Sequence, residues 1–139
     1  MIAEYLHTFV VQMNVIVRRV ASHNNLSLSQ YFALTNISSS GISMTELSTM
    51  LGLDNSTLTR NINILIKRAL VLKEKSEEDR RGYTITLSEK GITLLGNLEN
   101  QIEDILEGFI ASVPTDNKQE LIDMIETINW KASCFINEL

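Results

Sequence analysis

A single cysteine, Cys134, stands among the 139 residues, so no internal disulfide can form, which suits a reducing cytoplasm. Together with His7 and His23 it lacks the spacing of a metal-ligand set, and no metal is expected. One proline and six glycines leave little to interrupt helices, so long helices are expected. No apolar run approaches the roughly 20 residues that span a bilayer. The opening Met1-Ile2-Ala3-Glu4-Tyr5 carries an acid and lacks the basic region of a signal peptide. A cytoplasmic protein without a membrane segment is the expectation. Catalytic motifs are missing too: there is no Gly-x-x-x-x-Gly-Lys, no Gly-x-Ser-x-Gly and no His-Glu-x-x-His. The acids near the C-terminus fall at solvent-facing helical positions. The sequence therefore predicts no enzyme and no cofactor.

What the sequence does contain begins at Ser43. Ser43 and Glu46 have the spacing of a capping box, in which each side chain satisfies the other's backbone N–H. Leu47, Met50 and Leu51 follow at helical spacing, and Gly52 stands where a left-handed C-terminal cap falls. Asp54 or Asn55 caps a second helix after a connection of about three residues. Two short helices joined by so tight a turn read as a helix-turn-helix, whose second helix enters the DNA major groove. In that second helix Leu58, Ile62, Leu65, Ile66 and Ala69 form an apolar stripe. Ser56, Thr59, Arg60, Asn63 and Lys67 remain on the other side, with Asn55 and Thr57 at its N-terminus. Hydroxyls, amides and bases of this kind contact base edges and phosphates.

Val71–Lys75 and the alternating Tyr83-Thr84-Ile85-Thr86-Leu87 then read as a two-stranded ribbon, with Tyr83, Ile85 and Leu87 facing inward. Between them lies the polar loop Ser76–Gly82, the expected wing, with Arg80 and Arg81 at its tip suited to a phosphate backbone or a minor groove. Asp79 is expected to brace that loop by pairing with an arginine. A net charge of −5 at first opposes a nucleic-acid partner, but the charges are segregated. Residues 55–75 hold five Lys or Arg and one acid, whereas residues 96–139 hold two cations and nine acids.

The run Asp79-Arg80-Arg81-Gly82-Tyr83-Thr84-Ile85-Thr86-Leu87-Ser88-Glu89-Lys90-Gly91 resembles the wing signature of the MarR (multiple antibiotic resistance regulator) family of bacterial and archaeal transcription factors. Leu26–Leu34 is similar to that family's second-helix entry, and Ser56-Thr57-Leu58-Thr59-Arg60 to its recognition helix. Two positions depart from the pattern: Ala69 stands where glycine is common, and Gly82 where alanine is usual. The resemblance implies a mainly α fold with a small β wing, a winged helix-turn-helix with long N- and C-terminal dimerisation helices. It implies one domain over 1–139, with 1–24 and 92–139 for dimerisation and 28–91 as the DNA-binding lobe. It further implies a repressor that grips a palindromic double-stranded operator as a homodimer and is released by a small aromatic or phenolic ligand. Met13, Val17, Arg18, Tyr31 and Phe32 are the positions placed to line such a ligand cleft.

The flanking helices fit this plan. Residues 2–23 are apolar around much of the helix circumference and are expected to pack against more than one neighbour. Asn24-Asn25 ends that helix, and Ser27 or Ser29 caps the next. Ser88 caps a long helix that Pro114 breaks, and Thr115 or Asp116 starts the last one. The terminal helices carry more apolar surface than a winged helix can cover, which makes a helical dimer the economical explanation. Two alternatives stand beside this reading. One is redox sensing through Cys134, although the family's peroxide sensors carry their cysteine near the N-terminus. The other is a winged helix used only for protein contact, which a basic and amide-rich face disfavours.

Overall fold

The computed structural model describes residues 1–78 and 82–139. Its elements run α1 (Ile2–His23), α2 (Leu28–Thr35), β1 (Ile42–Ser43), α3 (Met44–Leu51), α4 (Asn55–Lys67), β2 (Val71–Lys75), β3 (Tyr83–Leu87), α5 (Glu89–Ser112) and α6 (Lys118–Ile136). This is a winged helix-turn-helix, mainly α with a small sheet. Residues Met1–Ile102 and Glu103–Leu139 form two compact units, and α5 runs through both.

Local chemistry sets the helix ends. The Ser43 hydroxyl accepts from Glu46 N–H at 3.1 Å, and the Glu46 carboxylate accepts from Ser43 N–H at 3.1 Å. Gly52 closes α3 in the left-handed conformation at φ +62°. Asp54 is the residue that caps α4. Ser27 caps α2 through a second box, closed by Gln30. At the far end, Asn117 caps α6, not Thr115 or Asp116. The Thr115 hydroxyl instead accepts from Asn117 N–H at 3.3 Å, and the Asn117 side chain takes Glu120 N–H. A small local turn thus moves the helix start to Lys118.

The first unit has one core. Leu34 from α2, Leu47 from α3, Leu58, Ile62 and Leu65 from α4, and Ile85 from β3 are essentially inaccessible to solvent. Each fully buried side chain of this size contributes about 1.5–3 kcal/mol. The sheet has three strands in the order β1-β3-β2, not the two read from the sequence. Ile42 and Ser43 pair antiparallel with Ile85 and Thr84, so the residue that caps α3 also closes the sheet edge. Asn61 is buried on the inward side of α4, and its side-chain nitrogen has no hydrogen-bond partner among the described residues.

The joint between α4, β2 and α5 is tight. Gly91 lies in the first turn of α5, and a Cβ there would collide with the Leu70 carbonyl, so only glycine fits. Ser88 accepts from Gly91 N–H at 3.0 Å while its hydroxyl donates to the Ala69 carbonyl at 2.6 Å. Ala69 itself adopts φ +56°, in the left-handed region where a Cβ is penalised. Its side chain is exposed and gains little packing in return. Ala69→Gly should therefore stabilise the protein by about 1 kcal/mol in urea unfolding. An unchanged or lowered midpoint would show that the turn carries no strain.

Helix α1 buries only Val20 and Ala21, and Ile2, Tyr5, Leu6, Phe9, Val10, Val11 and Val15 are exposed. The expectation that α1 packs against several neighbours is not met within one chain. In the second unit, Lys118 Nζ donates to the carbonyls of Ile110 at 2.8 Å and Ala111 at 3.2 Å, and to that of Val113. It thereby satisfies the end of α5. Helix α6 buries no residue, and it exposes Ile122, Met124, Ile125, Ile128, Trp130, Phe135 and Ile136.

Candidate nucleic-acid interface

Helix α4 presents its polar side because the opposite side is committed to the core. Leu58, Ile62 and Leu65 are buried, whereas Asn55, Ser56, Arg60, Asn63 and Lys67 are exposed. Thr57 and Thr59 are half-buried at the flanks. The Thr57 hydroxyl is engaged locally, donating to the Asp54 carboxylate that also accepts from Thr57 N–H at 3.2 Å. Ile64, one turn after Arg60, is also exposed at 36%. The sequence gives it no role, since an apolar residue outside the stripe carries no evident signal.

Two carboxylates hold the motif's helix ends. The Thr57 hydroxyl and then its N–H hold the Asp54 carboxyl below its ordinary value, and Ser43 does the same for Glu46, chiefly through its backbone N–H. A depressed folded-state pKa means that the stabilisation is fully present above the ordinary carboxylate range. It is lost as pH falls through the lowered folded values. Amide hydrogen exchange at Glu46 and Thr57 should accordingly speed up below about pH 4, beyond the intrinsic pH effect. Asp54→Asn should abolish that pH dependence at Thr57 while retaining a cap.

The wing adds a second basic element. In the β2–β3 register Val71 pairs with Leu87, Lys73 with Ile85 and Lys75 with Tyr83. Alternation therefore puts Val71, Lys73, Lys75, Ile85 and Tyr83 on one face. That face is buried at Val71 and Ile85 but runs past the core edge, so Tyr83 is 44% exposed and not inward-facing as the alternation predicts. Lys73 Nζ lies 4.3 Å from the Tyr83 ring centroid, a cation–π contact. Lys73, Lys75 and Tyr83 are interface candidates that sequence reasoning missed. The alternation held the signal, but only the register shows where the core stops. Arg80 and Arg81, with Asp79, lie outside the described residues.

Of the positions expected to line a ligand cleft, Tyr31 is buried and meets Phe32 edge-on, with ring centroids 5.5 Å apart. Burial, and then the charge of Glu99, raise the Tyr31 hydroxyl pKa, so it stays protonated at neutral pH. Val17 and Phe32 pack on the core, Met13 is half-buried and Arg18 is exposed. Cys134 is a free, half-buried thiol on α6. Among the described residues no group of His, Cys, Asp and Glu is arranged to hold a metal, and no helix is long and apolar enough to cross a membrane.

Comparison with known proteins adds to this geometry. The MarR family model matches residues 26–83, the stretch from the end of the α1–α2 turn into β3. The HTH-type transcriptional regulator SarZ of Staphylococcus haemolyticus (strain JCSC1435) is 29% identical over 87 residues, 63% of this chain and 58% of SarZ. The chain spans little more than half the length of the curated relatives it matches. A MarR protein from Peptoclostridium difficile DA00132 superposes with a TM-score of 0.79 at 25% identity, covering 99% of this chain and 90% of that one. A cysteine-to-serine mutant of E. coli MarR, solved in complex with operator DNA, superposes with a TM-score of 0.72 at 18% identity over 91% of each chain.

Proposed function

We propose that this chain, which belongs to the MarR family of transcriptional regulators, binds a palindromic double-stranded operator as a homodimer and represses transcription from it. The observation that carries the reading is the outward side of α4. It is an exposed row of Ser56, Arg60, Asn63 and Lys67 with no acid on the helix, held rigid by a buried apolar stripe and a three-residue turn. Arg and Asn are the side chains that read guanine and adenine bidentately. Lys73, Lys75 and Tyr83 on the wing, with Arg80 and Arg81 from the sequence between β2 and β3, would extend the contact to phosphates or a minor groove. The outward side of α4 is basic and amide-rich, which favours DNA over a protein-only role. The apolar residues exposed on α1, and separately those exposed on α6, are faces that a second copy of the chain would cover.

A small aromatic or phenolic ligand near Tyr31 and Phe32 would release the operator by favouring a dimer whose recognition helices are wrongly spaced. A tenfold loss of affinity needs about 1.4 kcal/mol of difference between the two states. Selection from a random duplex pool should enrich a palindrome whose half-sites lie about one helical turn apart. Retardation of that duplex, relieved by a panel of aromatic acids and phenols, supports the full reading. Absence of any selected duplex at low salt would remove DNA binding itself, and indifference to the whole panel would remove the ligand.

A further inference from the structure

We propose that Arg68 is a positioning residue that locks the recognition helix α4 to α1 and α5, and so sets the separation at which a dimer reads two half-sites. The inference rests on the dimeric operator-binding reading above. Arg68 immediately follows α4, and by charge alone it belongs with the basic surface. Its guanidinium turns away from that surface, donating through Nη1 to the Asn25 carbonyl at 2.6 Å and through Nη2 to the Asn24 carbonyl at 3.1 Å. Both carbonyls lie in the turn after α1, at the negative end of that helix, where a cation is favoured. Asn25 holds the turn at φ +56°.

The bonds do not stop there. The Asn24 side-chain amide donates to the Val20 carbonyl of α1 at 2.8 Å and to Gln101 Oε1 of α5 at 3.1 Å. From the other side, Lys90 of α5 donates to the Arg68 carbonyl at 2.9 Å, and Ser88 N–H to the Leu70 carbonyl at 3.0 Å. The C-terminal end of α4 is thereby bonded to the end of α1 and the start of α5, and α1 and α5 are bonded to each other. Arginine suits this task because its planar fork holds two acceptors in fixed directions. A change in the angle between α1 and α5 must strain or break these bonds unless α4 moves with it.

The test uses the full chain, the selected palindrome, versions with the half-sites one base pair closer or farther apart, and an isolated half-site. Arg68→Lys keeps the cation but loses the fork, and Gln101→Leu keeps every cation and breaks only the bond to α5. Both variants should bind the isolated half-site as the parent does, while the preference for the native spacing falls roughly fivefold or more. Unfolding midpoints measured alongside report folding separately from that ratio. An equal loss on every duplex would make Arg68 a mere phosphate contact and overturn the proposal, as would an unchanged spacing preference in both variants. A parent protein with no spacing preference would defeat the dimeric reading itself, and the proposal with it.

Discussion

Ile125→Asp should convert the protein to a monomer and abolish operator binding. Ile125 is 41% exposed on α6, a helix that buries nothing within its own chain, so the substitution should leave the winged-helix core intact. In a twofold dimer the same side chain enters the interface from both partners. Each uncompensated carboxylate buried there costs several kcal/mol, so the dimer should weaken by roughly a thousandfold or more. Binding to two half-sites then loses the linked second contact and falls to the affinity of one lobe. Leu121→Asp, at a half-buried position on the same helix, should act alike. Sedimentation equilibrium paired with operator titration measures both effects. A parent chain that sediments as a monomer yet binds the palindrome tightly would sink the architecture.

Arg60→Ala and Asn63→Ala should each erase most of the preference for operator over scrambled DNA. Both side chains are exposed on α4, outside its apolar stripe, so their removal leaves the core untouched. A bidentate contact from arginine to guanine or asparagine to adenine discriminates by about 1–3 kcal/mol, or roughly 5- to 150-fold. Lys67→Ala and Arg81→Ala should behave differently, weakening both duplexes by a similar factor and lowering the salt slope by about one per dimer half. The comparison must be made at fixed salt, because phosphate contacts and base contacts respond to it differently. If Arg60→Ala and Asn63→Ala leave the operator-to-scrambled ratio unchanged, base reading by α4 is wrong.

The sequence was most informative where a structural decision is made within a few residues. The Ser43–Glu46 box, the left-handed Gly52 and the spacing of Leu58, Ile62 and Leu65 all appear in the structure as their spacing predicts. Capping is settled between a residue and its third neighbour, and a stripe is settled by the helical period. The start of α6 differs from the expectation because Thr115, Asp116 and Asn117 all suit a cap, and the Thr115 hydroxyl is engaged with the Asn117 backbone while the Asn117 side chain takes Glu120 N–H. Gly91 was visible as part of a motif, but its reason was not. The obstruction is the Leu70 carbonyl, which stands beside it because β2 and β3 pair and bring the two ends of the ribbon together.

By itself the sequence determined the helix-turn-helix, the alternation of β3 and the segregation of charge, because periodicity and net charge are properties of the chain as written. Tertiary structure alone decided that Ile42 and Ser43 make a third strand, that Tyr83 emerges past the core beside Lys73, and that Arg68 leaves the basic surface for carbonyls 43 and 44 residues away. Each of those outcomes depends on which acceptor, ring or strand edge folding brings within a few ångströms. No local pattern encodes that distance.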